Sequence, residues 1–309
     1  MRKRCPALAA AVLFAACGGS PHGPPVRFTV PQGSGMAAVA DSLGAHDIVG
    51  SSTGFRIYAR LKGAARKLKP GVYEVRRGAG WDDILHKLVT GDVVKTTVVV
   101  PEGWTTPEIA ARIGRATGVP ADSVLPLLTS DSAAKALDVP GPTLEGYLYP
   151  ATYVFPLGTA PREMVRAMVH RYQQAWTPAM RARADSIGLS EREVVTLASI
   201  VEKEAKRWSE RDTIAAVYRN RLRIGMPLQA DPTVQYALGT HQSRLLYSDI
   251  RSVADDPYNT YTHPGLPPGP IASPSAGSLH AVLYPASVDF LYFVAKPGGA
   301  HLFTRTLAQ

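Results

Sequence analysis

The chain has 309 residues, of which 45% are hydrophobic and 19% charged, and its formal net charge is +9. A chain of this length can bury a substantial core, and its length predicts two folded domains rather than one. A positive balance suits an acidic polymer or an anionic membrane surface. Because no basic stripe interleaved with aromatic residues occurs, nucleic acid is not expected as a partner.

The first seventeen residues have the pattern of an export signal. Basic residues after Met1 precede an apolar segment, residues 6–16, which is shorter than the roughly 20 residues that a membrane-spanning helix needs. Cys17 follows two alanines, which predicts a lipoprotein-type signal peptide over residues 1–17 with Cys17 acylated. A plain cleaved signal peptide is the alternative. Both predict an exported protein on the periplasmic side of the cell envelope, held to a membrane through its N-terminus in the first case.

A short tether and a small domain are predicted next. Residues 18–25 are rich in glycine and proline, which predicts a flexible tether. A strand, a Pro/Gly turn and a short helix then recur, with the strands at 26–30, 71–75 and 96–100 and the helices at 36–43, 81–88 and 106–113. This pattern predicts an α+β domain over residues 26–118, similar to the LysM-like subdomains that precede some cell-wall enzymes. A small domain without a ligand site fits the same pattern.

The remainder of the chain, residues 119–309, is predicted to form a mixed, helix-rich second domain. Ser190 and Glu193 have the spacing of a capping box and predict the start of a helix. A further helix is predicted from Ser209 to Leu222, ended by Gly225, and a strand at residues 290–295. The overall fold class is therefore α+β.

The helix that begins at Ser190 carries two candidate catalytic carboxylates. At 100° per residue its apolar residues fall within one arc, with Glu202 and Glu204 at the two margins and Lys203 pointing away. A carboxyl group that loses solvent at such a margin can keep the proton that a general acid needs. Surface helices also carry glutamate at these margins. The helix pattern alone therefore favours ordinary surface glutamates over catalytic ones.

Polar and aromatic side chains concentrate in loops that contain glycine and proline. Their directional hydrogen bonds and flat ring faces suit saccharide binding, although each loop taken alone could be a simple turn. The predicted substrate-binding residues are Gln229, Asp231, Thr233, Tyr258, Asn259 and Tyr261, with Glu145 and Tyr147 upstream.

Taken together, these segments resemble the YceG-like family of endolytic murein transglycosylases. The matching motifs follow one another in the family's order: 144–150, 198–204, 226–234, 258–261, 265–271, 291–295 and 301–303. The resemblance implies that Glu202, the first glutamate of Val-Glu-Lys-Glu, is the catalytic residue, with Glu204 as the second candidate. The sequence departs from the family at its start, where a short leader with Cys17 replaces the usual membrane-spanning helix.

The resemblance also implies a reaction. A lytic transglycosylase would cleave the MurNAc–GlcNAc bond of nascent peptidoglycan strands and leave 1,6-anhydroMurNAc ends, with Glu202 as acid and base. The implied partners are glycan strands and peptidoglycan synthases. No metal or cofactor is expected, because the histidines lack zinc-ligand spacing. Two alternatives stay open: a muramidase-type hydrolase, with Asp231 or Glu145 as a second carboxylate, and a non-catalytic peptidoglycan-binding lipoprotein.

Overall fold

A computed structural model describes residues 22–307, which form two compact units. The first unit contains the described residues up to Thr96 together with residues 156–158, and the second contains the rest. The predicted signal peptide and Cys17 lie outside the described residues. None of the described helices combines the length and the apolar character that crossing a bilayer requires.

In the first unit, two antiparallel strands and three helices enclose one hydrophobic core. The aromatic rings of Phe28 and Tyr73 face each other across the strand pair and stack with their centroids 5.7 Å apart. The elements are β1 (His22–Val30), α1 (Met36–Ala45), α2 (Ser52–Leu61), β2 (Gly71–Arg77) and α3 (Trp81–Thr90). Helix α2 was not predicted from the sequence; its buried residues are Phe55 and Ala59.

Strand β1 begins earlier than the sequence pattern indicates. It starts at His22, whose Cα pairs with that of Arg77, so residues 22–25 belong to the strand rather than to the predicted tether. The register is irregular between His22 and Val26. A strand that contains two prolines next to a glycine does not show the alternation by which strands are recognised in a sequence.

The second unit is rich in helices, so the mixed α+β fold class is confirmed. Strands β3 and β4 form one two-stranded sheet, and β5 and β6 form an antiparallel pair. The elements are β3 (Lys95–Val100), α4 (Thr106–Thr117), α5 (Ala121–Val124), α6 (Pro126–Thr129), α7 (Asp131–Ala136), β4 (Ala151–Pro156), α8 (Pro161–Ala175), α9 (Pro178–Ser186), α10 (Glu191–Glu204), a 3-10 turn (Trp208–Glu210), α11 (Arg211–Arg223), α12 (Asp231–Leu238), α13 (Tyr247–Ser252), α14 (Ala276–Leu283), β5 (Tyr292–Ala295) and β6 (His301–Thr304).

The third strand–turn–helix repeat packs in the second unit, although it was predicted to close the first domain. Val98 and Val100 of β3 and Ile109 and Ile113 of α4 are buried in the core of the second unit. The division between the two cores therefore lies near Thr96 and not at residue 118. Spacing reveals a repeated unit, but it does not reveal which core that unit joins.

Helix α10 lies at the centre of the second unit. It begins as predicted with a capping box, in which Ser190 Oγ accepts from the Glu193 N–H and the Glu193 carboxylate accepts from the Ser190 N–H. The whole run 194–201 is buried, not one arc, because α9, α11, α12 and α14 all contact this helix. A helix that is buried on every side, here including the polar Thr196 and Ser199, lies inside a core. Glu202 therefore follows directly after a fully buried stretch.

The close approach of Gly146 to Pro270 gives a test of this packing. Gly146 has φ of +83°, and a methyl group there would lie 2.4 Å from Pro270 Cβ. We expect Gly146→Ala to lower the free energy of unfolding by about 3 kcal/mol, from backbone strain and overpacking together. Gly118→Ala, at φ of +75° with open space around it, should cost only about 1 kcal/mol. Urea denaturation compares the two, and equal losses would contradict the close packing.

Candidate functional site

Glu202 ends the buried part of α10 with both carboxylate oxygens occupied. Its side chain is 7% exposed. Oε1 accepts a hydrogen bond from Arg211 Nη2 at 2.9 Å. Oε2 accepts three: from the Ser275 N–H at 2.9 Å, from Ser275 Oγ at 2.5 Å and from Ser278 Oγ at 2.7 Å. We call these four residues the Glu202 centre.

The donors of the Glu202 centre come from the starts of two other helices. Arg211 is the first residue of α11, and Ser275 is the N-cap of α14, where its Oγ also accepts from the Ser278 N–H. The start of a helix carries a partial positive charge that favours a nearby anion. Burial of Glu202 agrees with the expected loss of solvent. The arginine and the three other donors supply the counter-charge and the hydrogen bonds that replace the lost water.

The Arg211 guanidinium lies over an indole ring and close to the first turn of α14. Its Cζ lies 4.5 Å from the centroid of the Trp208 ring, and a methyl group on Gly277 would lie 2.9 Å from its Nη1. Trp208 itself is 71% exposed. The Glu202 centre is therefore bordered by a flat aromatic face that is open to solvent, which suits stacking against a sugar ring.

A second carboxylate, that of Glu102, reaches the same guanidinium. Glu102 Oε2 lies 3.9 Å from Arg211 Nη2, and the Glu102 side chain is 40% exposed. Partial burial raises the pKa of Glu102 above its usual range, the negative charge of Glu202 raises it further, and Arg211 acts in the opposite direction. Two acidic groups thus share one guanidinium at this site.

The predicted binding loops do come together, around Thr260. The Gln229 N–H donates to the Thr260 carbonyl oxygen at 3.0 Å, and the Thr233 and Thr260 hydroxyl groups are 2.9 Å apart. Tyr261 Oη donates to Asp231 Oδ1 at 2.5 Å. We call this group of residues the Thr260 cluster. Among the described residues, none of its members hydrogen-bonds to Glu202.

Members of these loops differ in what they offer to a ligand. Gln229 and Asp231 are exposed, whereas Tyr258 and Tyr261 are half-buried. Asn259 is fully buried, and its Nδ2 donates to the carbonyl oxygens of Ile250 and Val253. Thr233 is also fully buried, and its hydroxyl group donates to the carbonyl oxygen of Ala230. The buried Asn259 and Thr233 therefore stabilise the loop backbone through these hydrogen bonds.

Glu145 and Tyr147 are buried in the core of the second unit. Glu145 Oε2 accepts from the N–H and the hydroxyl group of Thr106, at 3.0 and 2.9 Å, and so holds the first turn of α4. Burial raises the pKa of Glu145 to about 7. The Tyr147 ring packs edge-on against Tyr172 with centroids 5.1 Å apart. Both side chains therefore have structural contacts rather than a free surface.

Glu204, the second catalytic candidate, faces the other side of α10. Its carboxyl group is buried and accepts a hydrogen bond from Tyr218 Oη at 2.9 Å. Burial raises the pKa of Glu204 to about 7, and the charge of Asp231 contributes in the same direction. Glu204 thus lies beside the Thr260 cluster, two residues along the chain from the Glu202 centre.

The sequence pattern did not reveal five residues around Glu202: Glu102, Trp208, Arg211, Ser275 and Ser278. Ser275 follows a proline and precedes an apolar helix, which is a recognisable cap signal. For the other four residues the sequence carries no comparable signal, because their proximity arises from tertiary packing. Within residues 22–307, no three His, Cys, Asp or Glu side chains are grouped as metal ligands.

Comparison with known proteins places these motifs in one family. A model of the YceG-like family matches residues 28–309. The chain is 35% identical over 300 residues to the endolytic murein transglycosylase of Bacillus subtilis (strain 168), covering 92% of this chain and 82% of that protein. It is 30% identical to a protein of the same name from Streptococcus pneumoniae serotype 2 (strain D39), covering 87% of this chain but 54% of that protein, about half its length. A crystal structure of a yceG-like protein from Listeria monocytogenes aligns with a TM-score of 0.64 and 33% identity, covering 94% of this chain and 98% of that one.

The raised pKa of Glu204 predicts a pH dependence of stability. A carboxyl group with a pKa of about 7 when folded and 4.5 when unfolded keeps its proton longer in the folded chain. Stability is therefore lost as the pH rises through this window, by up to about 3 kcal/mol.

Glu204→Gln should remove this loss, since its amide oxygen can still accept from Tyr218. Urea denaturation from pH 4.5 to 8 should show a flatter profile for Glu204→Gln than for the wild type. Glu163→Gln, which changes a side chain that is 54% exposed, should follow the wild type. If the stabilities of the wild type and Glu204→Gln change with pH in parallel, the raised pKa of Glu204 is refuted.

Proposed function

This chain belongs to the YceG-like family, and we propose that it is a lytic murein transglycosylase, an enzyme that cleaves the glycan strands of peptidoglycan. Relatives named endolytic murein transglycosylases, one of them 35% identical over 92% of this chain, support the proposal. The observation that carries it is the buried Glu202 carboxylate, held by Arg211 and the start of α14 beside the exposed ring of Trp208.

Glu202 has the acid/base role in this proposal. Its carboxyl group donates a proton to the oxygen of the MurNAc–GlcNAc bond, and the bond from that oxygen to C1 of MurNAc breaks. The C6 hydroxyl group of the same MurNAc attacks C1 and returns its proton to Glu202, which leaves a 1,6-anhydro end. No water is consumed. Because the attacking hydroxyl group is tethered to the reacting sugar, effective molarity replaces an activated water molecule.

The surroundings of Glu202 suit the stage of the reaction that follows proton donation. After proton donation the carboxylate is ionised, and the donors of Arg211, Ser275 and Ser278 stabilise that form. Fixed donors in a buried site need no rearrangement when the charge develops. The face of Trp208 would stack against one sugar of the strand, and the exposed residues of the Thr260 cluster would bind further sugars.

The same proposal covers the location and partners of the chain. A murein-cleaving enzyme acts at the cell envelope, which agrees with the export signal predicted at residues 1–17. Acylated Cys17 would hold the enzyme to a membrane near its substrate. The first unit, as a LysM-like domain, would bind the polymer, and peptidoglycan synthases are candidate partners because they supply nascent strands.

Replacing the proposed acid/base is the primary test. Glu202→Gln keeps the size of the side chain but cannot donate the proton, so cleavage of uncrosslinked glycan strands should fall about a thousandfold. Chromatography of the products measures strand length and so the extent of cleavage. Glu163→Gln is the control variant and should cleave strands as the wild type does. Unaltered strand shortening by Glu202→Gln would end the proposal, and loss of activity in Glu204→Gln alone would move the role to Glu204.

The contact between Gly277 and Arg211 gives a second test. A methyl group on Gly277 would displace the guanidinium, because that is the movable end of a long side chain 2.9 Å away. Gly277→Ala should slow cleavage about 10- to 100-fold by weakening the charge-assisted hydrogen bond to Glu202. The buried carboxylate then has less compensation, so the melting temperature should fall modestly while the variant stays folded. Gly50→Ala, with open space around the new methyl group, is the matched control. Full activity of Gly277→Ala would show that cleavage does not need the Arg211 contact.

A further inference from the structure

Two carboxylates of unequal environment meet at one nitrogen of Arg211. Nη2 lies 2.9 Å from Glu202 Oε1 and 3.9 Å from Glu102 Oε2. The two carboxylate oxygens are therefore no farther apart than these distances added together. With both groups ionised the trio has a net negative charge, and with one proton added it is neutral.

The loop that carries Glu102 is fixed against the Glu202 centre. The Gly103 N–H donates to the Ser273 carbonyl oxygen at 2.8 Å, and the Ser273 N–H donates to the Trp104 carbonyl oxygen at 2.8 Å. Lys203 Nζ donates to the Gly103 carbonyl oxygen at 3.2 Å. These bonds tie the loop both to the helix of Glu202 and to the segment that ends in Ser275. The position of Glu102 is thus determined by backbone contacts on two sides.

Glu102 is the more open member of the pair. Its side chain is 40% exposed, against 7% for Glu202. Within residues 22–307 it accepts no hydrogen bond, whereas Glu202 accepts four. The charged groups that act on it are Glu202 from α10 and Arg211 from α11, while Lys203 Nζ bonds to the carbonyl oxygen of the next residue, Gly103. Glu102 can therefore exchange protons with solvent at the edge of a site whose other carboxylate is enclosed.

We propose that Glu102 is a positioning residue of this site, which shares Arg211 and one proton with Glu202 and so keeps a proton available for the glycosidic oxygen. The proposal rests on the lytic transglycosylase function proposed above and deepens it. Two interacting carboxyl groups titrate as a unit, and the second proton leaves the pair less readily than it would leave an isolated group. The negative charge of Glu102 and its competition for Arg211 both disfavour loss of the last proton from the pair. The pair thus offsets the stabilisation of ionised Glu202 by its four donors.

Removing the charge of Glu102 gives a signed prediction. In Glu102→Gln, Arg211 interacts with Glu202 alone and the site carries one negative charge fewer, so the site holds its remaining proton less tightly. The alkaline limb of kcat/KM against pH, measured on uncrosslinked glycan strands with the full chain, should move down by about one pH unit. The rate should then be about tenfold lower on that limb and close to that of the wild type at the acidic plateau. Glu102→Asp keeps the charge and should keep a limb nearer that of the wild type.

The controls separate the possible failures. Glu163→Gln removes a carboxylate that is not part of the Glu202 centre and should leave the pH profile unchanged. Melting curves show whether each variant is folded. A Glu102→Gln profile that coincides with the wild-type profile, or that is lowered equally at every pH, overturns the inference. Activity retained by Glu202→Gln would instead overturn the proposed function, so the two failures are distinguishable.

Discussion

Three helices of the second unit, α10, α11 and α14, meet at the buried carboxylate of Glu202. Removing a carboxylate from water costs several kcal/mol unless a counter-charge and hydrogen bonds replace the lost solvation. Here the replacement comes from Arg211 and from Ser275 and Ser278 at the start of α14. Because the donors belong to different helices, the charge can be accommodated only when α10, α11 and α14 pack together. The same packing that stabilises the fold therefore assembles the site.

Several local features have their reason in this arrangement. The capping box at Ser190 fixes where α10 begins, and the buried run that follows carries Glu202 to the point where the two other helices start. The lack of a side chain at Gly277 leaves room for the Arg211 guanidinium. The same guanidinium lies over the exposed ring of Trp208, on which a sugar of the strand is proposed to stack. The loop before α4 adds Glu102 to the same nitrogen of Arg211.

Elements that are determined by local residue patterns could be predicted from the sequence. Alternation and turn residues located β1, β2, α1 and α3, and the spacing of Ser190 and Glu193 located the start of α10. Family motifs singled out Glu202. The sequence could not predict that Arg211 turns toward Glu202, since the eight residues between them include a change of direction. Polar loop residues also look alike in a sequence whether they face a ligand, as exposed Gln229 can, or satisfy buried backbone groups, as Asn259 does.

Only Glu202 is proposed to act at the reacting sugar, with Glu102 acting through it, and the attacking oxygen is proposed to come from the sugar itself. Cleavage of glycan strands in water enriched in ¹⁸O, followed by mass spectrometry of the new ends, tests this most directly. We expect anhydro ends that carry no ¹⁸O and are one water lighter than a reducing end. Reducing ends that contain ¹⁸O would contradict it, because they would require a site that activates water.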